Sequence, residues 1–435
     1  MIKLEAHISD LRLTEPLHLP SSKSISNRAL LLGNLCADGP SPIAHLSDCE
    51  DTRVMQQSLE TLTNGKDSHS PLVIDTEGAG TAMRFLTAYC ACQNGMEVIL
   101  TGNERMKQRP IGPLVDALRK LGAAIDYEEV EGYPPLHITG GPLHGGDIEM
   151  DGSISSQFVS ALMMVAPLCG PVTITLTGHI VSRPYIEMTR SLMAHYGVDA
   201  EWKDERTLLL PFGTYHCRPL TVEPDWSAAS YWLAIEKVAS QASPHPLQRR
   251  GSLSWLFSQR GHSHRLCPPL LWRGQGGGLQ GDSICATLLR TMPPSIDFTD
   301  CPDLVQTMTV TYCLLEKPFS FTGVKNLRIK ETDRIQALTK ESAKFGYLIH
   351  YEEESDTLTF TPSATVTADT PSAHSSKKTT GTLIETYGDH RMAMAFAIAA
   401  LKHGPLIINH PEVVSKSYPL FWEDLRHVGF TIHEV

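Results

Sequence analysis

Two kinds of helix-like segment alternate along this chain, and that alternation leaves few folds open. The first kind is an apolar helix opened by a short polar run. SSKSISNR (21–28) leads into ALLLGNLC, GAGTAMR (78–84) into FLTAYCAC and SISSQ (153–157) into FVSALMMVAPL. PDWSAAS (224–230), PDLVQT (302–307) and GDHRMA (388–393) each open a similar segment. The second kind follows Thr-Gly and a basic loop, is amphipathic at three- and four-residue spacing, and stops at Gly. TGNERMKQRPIGPLVDALRKLGA (101–123), TGHIVSRPYIEMTRSLMAHYGV (177–198) and TGVKNLRIKETDRIQALTKESAKFG (322–346) are the clearest copies. Weaker copies lie at 47–65, 279–292 and 410–429, and short β-like runs such as TLLLPFG and TLTFTPS fall between the helices. The pattern predicts an α/β fold of repeated βαβαββ units, and a repeat constrains a fold more than any single motif does. With 435 residues, three units per domain give two similar domains.

The helix starts also point to chemistry. A helix N-terminus carries unpaired N–H groups and partial positive charge, so it attracts anions. Small residues, hydroxyls and Lys or Arg recur at these starts, an arrangement that packing does not require. Net charge is −11, which argues against general binding to nucleic acid or anionic membrane, so a basic site must be local. The ten cysteines form no CxxC pair and are expected to be reduced core residues. The start MIKLEAHISD has no apolar signal core, and the most hydrophobic stretch, 158–176, is broken by Pro167, Gly170 and Pro171. The expectation is a cytoplasmic protein without a membrane span.

Two stretches break the repeat. From Gln241 to Gly281 there is no acid and no Lys, but Arg249, Arg250, Arg260, Arg265 and Arg273 are present. Residues 241–278 therefore read as an inserted segment or loop, and 367–381 as a second loop. GQGGG (274–278) lacks the Lys-Ser/Thr of a phosphate loop.

Lys23, Arg28, Arg84, Arg109, Arg334, Arg391 and Lys416 all lie in polar segments abutting repeat helices. Any one of them alone reads as a solvated charge; their recurrence at equivalent places favours a shared anionic ligand. Arg suits bidentate carboxylate or phosphate binding, and Lys acts as a point charge. Ser24, Ser155, Ser156 and Ser182 are phosphate donors or helix caps, roles that one Ser can combine. Glu331 in KETDR and Asp303 in CPDLVQT are expected to begin helices. No HExxH, GxSxG or paired Cys/His set is present, so neither metal hydrolysis nor a serine nucleophile has support, and no metal or cofactor is expected.

SSKSISNRALLL, GAGTAMRFL, RMKQRPIGPLVDAL, DGSISSQF, VSRPYIEMT, EPDWSAASYW, LRIKETDRI, YGDHRMAMA and VSKSYPLFW, in this order, resemble the EPSP synthase family of enolpyruvyl transferases over nearly the whole chain. The resemblance implies two domains of three βαβαββ units, an inside-out α/β barrel fold. One domain would span 20–223 and the other 1–19 plus 224–435. It also implies transfer of enolpyruvyl from phosphoenolpyruvate to the 5-hydroxyl of shikimate 3-phosphate, with release of phosphate, by a monomer whose partners are these two small molecules, without nucleic acid or membrane. Carried over, Lys23, Ser24, Arg28, Ser155, Ser156, Gln157 and Ser182 would bind shikimate 3-phosphate, and Asp303, Asn326 and Lys330 its ring hydroxyls. Phosphoenolpyruvate would lie against Lys23, Gly80, Arg109, Gln157, Arg334, Arg391 and Lys416. Asp303 would take the hydroxyl proton, and Glu331, with Lys23 as the alternative, would protonate the methylene carbon.

Gly78 stands where the family often has Asn, and Phe85 where Pro is frequent after Arg84. Gly80 is kept, which implies glyphosate sensitivity. The stretch 241–300 departs most, so the fourth repeat unit is expected to be altered. A sister family uses UDP-N-acetylglucosamine as acceptor and typically carries a Cys near the Arg109 region; RMKQRP has none. A third reading is an inactive enzyme disabled by the altered 241–300 region.

Overall fold

The computed structural model describes residues 1–11, 19–65, 70–242, 279–362 and 381–435. The predicted loops at 241–278 and 367–381 lie outside these residues, except for their ends. Contacts divide the chain into two compact units. One comprises Pro20–Asp225 with the described residues 279–281; the other comprises the described parts of Met1–Leu19, Trp226–Gly277 and Asp282–Val435. They are called here the 20–225 and the 226–435 unit.

In chain order the structure opens with β1 (Ile2–Glu5), α1 (Lys23–Asn34), β2 (Ile43–Ala44) and α2 (Glu50–Asn64). The next copy runs β3 (Leu72–Asp75), α3 (Gly80–Ala91), β4 (Glu97–Thr101), α4 (Glu104–Lys107), α5 (Gly112–Lys120), β5 (Ala124–Tyr127) and β6 (Leu136–Thr139). Then come β7 (Gly146–Asp151), α6 (Ser156–Val165), β8 (Val172–Thr177), α7 (Arg183–His195), β9 (Glu201–Trp202), β10 (Thr207–Leu210) and β11 (Leu220–Thr221). The 226–435 unit adds α8 (Trp226–Ala242) and α9 (Cys285–Thr291), followed by β12 (Ser295–Asp297), α10 (Val305–Leu314), β13 (Phe319–Thr322), α11 (Arg334–Ala343), β14 (Ile349–Glu352) and β15 (Thr357–Phe360). The last copy is β16 (Thr382–Ile384), α12 (His390–Ala397), α13 (Ala400–His403), β17 (Leu406–Ile408), α14 (Phe421–His427) and β18 (Thr431–Glu434).

Four sheets share one topology, with orders β3-β4-β6-β5, β7-β8-β10-β9, β12-β13-β15-β14 and β16-β17-β1-β18. In each the first two strands are parallel and the remaining pairings antiparallel. A parallel pair needs a crossover, and the apolar helix supplies it. β1 fills the fourth-strand place of the last sheet, pairing Leu4 with both Leu406 and Ile432. The copy holding α1 and α2 has only the short parallel pair β2–β11. The copy holding α8 and α9 has no strand of its own among the described residues.

The two helix classes occupy different places for the expected reason. Every residue of α3, α10 and α12 is buried, as befits helices apolar on all sides. Two of their hydroxyls bond within the helix, Thr87 donating to the Met83 carbonyl at 2.7 Å and Thr311 to that of Thr307 at 2.6 Å, while the Tyr312 hydroxyl reaches the Pro293 carbonyl at 2.7 Å. Strands such as β8 alternate buried and half-buried residues, so one face packs on the helices. Each unit has its own core cluster.

Beside the start of α1, the Ser22 amide bonds the Glu223 carbonyl at 2.8 Å and the Asp225 amide that of Pro20 at 2.8 Å. Leu279 packs on the core of the 20–225 unit and the Gln280 amide donates to Glu223 Oε1 at 3.0 Å, a return that the sequence did not announce. Among the described residues, no helix is long and apolar enough to cross a membrane.

Candidate functional site

In the 20–225 unit, Ser22 caps α1, its Oγ accepting from the Ile25 amide at 3.4 Å. Lys23 is the first helical residue, and its Nζ lies 3.0 Å from Asp51 Oδ2 on α2. Ser24 follows, half-buried. Arg28 lies one turn further on and is only 2% exposed, so it is a buried guanidinium and not a solvated charge at a helix start. Its Nε donates to Thr189 Oγ1 at 2.7 Å, Nη1 to the Ser24 carbonyl at 2.9 Å and Nη2 to Ser160 Oγ at 3.0 Å. The rings of Phe85 and Tyr185 lie 5.3 and 5.9 Å from its carbon. Burial pushes the Arg28 pKa down to about 10, which still leaves it charged at neutral pH.

Gly80 opens α3 against Arg109. A Cβ at Gly80 would meet Arg109 Nη1 at 2.6 Å and Nη2 at 2.9 Å, so the guanidinium rests where a side chain would be. The Arg109 amide donates to the Met106 carbonyl at 3.0 Å, and its guanidinium has no hydrogen bond or ion pair among the described residues. Arg84 is buried inside α3, donating to the carbonyls of Gly80 at 3.2 Å and Pro110 at 3.1 Å. Ser155 caps α6 by accepting from the Gln157 amide at 3.3 Å, and Gln157 Nε2 reaches Thr81 Oγ1 at 3.3 Å. Ser156 is the first residue of α6. Ser182 precedes α7 with φ +56° and makes no capping bond through its side chain. The hydroxyls of Ser155 and Ser182 are thus differently committed.

The 226–435 unit gathers acids with its cations. Arg334, 1% exposed, directs Nε to Asp389 Oδ2 at 2.6 Å, Nη1 to Asp303 Oδ1 at 3.1 Å and Nη2 to Glu331 Oε2 at 3.0 Å. Asp303 Oδ2 accepts from Arg391 Nη2 at 2.7 Å, so one carboxylate bridges two guanidiniums. Burial works to raise the Asp303 pKa, but Arg391, Arg334 and Lys330 together hold it well below the usual carboxylate range. The guanidinium of Arg334, opposed by burial, is nonetheless held further toward its charged form by Asp389, Glu331 and Asp303. Asp389 also caps α12, its Oδ1 accepting from the Arg391 amide at 2.8 Å, and His390 beside it is 1% exposed. Asn326 Oδ1 is buried with no hydrogen-bond partner among the described residues, a costly state that a ligand donor would relieve. The Lys416 amine, at the end of the turn Pro411–Lys416, has no ion pair among the described residues.

The structure therefore brings Asp303, Glu331, Arg334 and Arg391 into one ion-paired cluster, and pairs Lys23 with an acid. Glu331 does not begin a helix. It lies in the bend before α11, and Asp333 is the cap, its Oδ1 accepting from the Gln336 amide at 3.0 Å. Asp303 sits in a 3-10 turn, Pro302–Leu304, that runs into α10. Sequence reasoning passed over Asp51 and Asp389. Asp389 was discoverable as an Asp directly before an apolar helical run, the ordinary place for a cap.

The fold is that of solved enolpyruvyl transferases. Two structures of EPSP synthase from Acinetobacter baumannii superimpose with TM-scores of 0.67 and 0.66 at 19% identity, covering 100% of this chain and 100% and 99% of theirs. The family model for EPSP synthase (3-phosphoshikimate 1-carboxyvinyltransferase) matches residues 9–242 and 282–425. A 3-phosphoshikimate 1-carboxyvinyltransferase of Bacteroides fragilis is 45% identical over 96% of this chain and 95% of its own length. That of Photobacterium profundum is 38% identical over 95% and 96%. The chain belongs to the EPSP synthase family.

Proposed function

We propose that the two units divide the labour of one enolpyruvyl transfer: the 20–225 unit holds anions and the 226–435 unit moves protons. The reaction carries the enolpyruvyl group of phosphoenolpyruvate to the 5-hydroxyl of shikimate 3-phosphate and releases phosphate. Lys23, Ser24, Arg28, Ser155, Ser156, Gln157 and Ser182 are assigned to shikimate 3-phosphate, with Asp303, Asn326 and Lys330 on its hydroxyls. Gly80, Arg109, Gln157, Arg334, Arg391, Lys416 and Lys23 are assigned to phosphoenolpyruvate. Arg28 contributes mainly as a buried charge that orders the Ser24 carbonyl, since its donors already serve Thr189, Ser160 and Ser24.

The bridging of Arg334 and Arg391 by Asp303 carries this reading. A carboxylate whose pKa is held low is a weak base. Once the anionic groups of phosphoenolpyruvate draw Arg334 and Arg391 away, that hold slackens and Asp303 gains basicity beside the hydroxyl it must deprotonate. Glu331 gives a proton to the methylene carbon, cationic character develops at the neighbouring carbon, and the alkoxide oxygen attacks there. The tetrahedral adduct then returns a methyl proton to Glu331 as the C–O bond to phosphate breaks, which restores the C=C bond and forms the enol ether. Lys23, paired with Asp51, is the alternative proton carrier. Because both substrates are phosphorylated and do not cross a bilayer unaided, the reaction belongs in the cytoplasm, and every assigned residue lies on a single chain.

The test is phosphate release on mixing the protein with phosphoenolpyruvate and shikimate 3-phosphate. Release that needs both substrates is expected. Release without the shikimate ligand, or with UDP-N-acetylglucosamine in its place, would defeat the reading.

A further inference from the structure

One face of α11 is joined to the segment that leads into α12. Arg334, Glu341 and Lys344 stand seven and three residues apart, which places them on one stripe of the helix. Their partners on the facing segment are alternate residues, although only Thr382–Ile384 of it is a strand and 387–388 form a turn. Arg334 holds Asp389, Glu341 Oε1 accepts from the Tyr387 hydroxyl at 2.8 Å, and Glu341 Oε2 accepts from the Glu385 amide at 3.1 Å. Lys344 bonds both Glu341 Oε2 at 2.6 Å and the Leu383 carbonyl at 2.9 Å. Helix and segment thus run antiparallel, joined at 389, 387, 385 and 383.

Glu341 is 0% exposed, and an ionised carboxylate is costly to bury unless its oxygens are bonded. Here the bonds converge on a backbone that resists its own conformation. Tyr387 has φ +55° and Gly388 has φ +69°. The left-handed region suits Gly but strains a Tyr, and such strain persists only where surrounding contacts over-determine it. The Tyr387–Glu341 bond is such a contact, and two residues further on Asp389 caps the helix that begins with His390 and Arg391.

We propose that Glu341 is a positioning residue that acts through Tyr387 to fix the segment aiming Arg391 at phosphoenolpyruvate. The inference rests on the assignment of Arg391 to that ligand. Tyr387→Phe keeps the ring and removes only the hydroxyl. It is expected to raise KM for phosphoenolpyruvate about five- to tenfold, the loss of one charge-assisted hydrogen bond, while KM for shikimate 3-phosphate stays within about twofold. Glu341→Gln should raise the same KM, and the double variant should match the worse single rather than the product of the two. Arg391→Lys serves as the reference and should raise KM for phosphoenolpyruvate by more.

If Tyr387→Phe lowers the melting temperature but leaves KM unchanged while Arg391→Lys raises it, the positioning role is wrong and the Arg391 assignment stands. If neither variant alters KM, the Arg391 assignment fails and takes this inference with it. Equal effects on both substrates, or multiplicative effects in the double variant, would also overturn the proposal. Should Glu341→Gln not fold, the Tyr387→Phe comparison still decides.

Discussion

Among the described residues of the 20–225 unit, the guanidinium of Arg28 is buried among hydroxyls, carbonyls and two ring faces without a carboxylate, and that of Arg109 lies over Gly80 without an ion pair. In the 226–435 unit Arg334 is just as buried but is ringed by Asp389, Asp303 and Glu331. The two units thus differ in local charge, cationic around Arg28 and Arg109 and close to neutral around Arg334. A surplus of positive charge suits gripping an anion that arrives with its own charge. A neutralised cluster suits proton chemistry, because a ligand that rearranges the ion pairs also rearranges the basicity of the acids.

The largest effect should come from the neutralised side. Asp303→Ala removes the assigned base and should lower kcat by about 10²–10⁴-fold in the phosphate-release assay. Retention of full rate would move the base elsewhere and erase the contrast between the units. On the cationic side, Gly80→Ala pushes the Arg109 guanidinium from its seat. KM for phosphoenolpyruvate should rise about tenfold with the melting temperature nearly unchanged, since a flexible side-chain end is what must yield. An unchanged KM would show that Arg109 is not used in that position.

The pH dependence of stability sharpens the comparison further. The folded pKa of Asp303 is depressed, so its ion pairs stabilise the fold above the unfolded carboxylate value of about 4 and that contribution is lost as pH falls below it. Asp303→Asn should therefore cost about 1–3 kcal/mol in thermal melts at pH 7, and the gap from the parent should narrow steadily below about pH 4. A gap that does not depend on pH would mean that charge is not what Asp303 contributes. The smallest effect concerns Phe85. A double-mutant cycle of Phe85→Leu with Arg28→Met should give a coupling of about 0.5–1 kcal/mol; no coupling would deny the ring any part in holding the bare cation.

Most of the fold was legible because two helix classes with different apolar patterns recur, and burial obeys those patterns in α3, α10 and α12. The site was legible as a set of residue types near helix starts, but its local electrostatics were not. Nothing in SSKSISNR distinguishes a surface Arg from one aimed inward, since that depends on Ser160 and Thr189 arriving from far along the chain. The bend at Glu331 was misread because KETDR holds two acids within reach of the helix start, and only geometry selects Asp333 as the cap. Likewise Glu341 reads as an ordinary solvent-facing acid of an amphipathic helix until the 383–389 segment covers it.

The place of β1 carries a consequence for how the chain is made. Ile2–Glu5 is synthesised some four hundred residues before both of its neighbours, Leu406–Ile408 and Thr431–Glu434. Almost everything that the 20–225 unit requires is translated in one continuous stretch, so it can settle while synthesis proceeds. The other unit must keep a hydrophobic strand waiting through some four hundred residues before its last sheet can form, a closure of high contact order. Newly made chains should thus pass through a stage in which residues 20–225 are protease-resistant and the 226–435 unit is not.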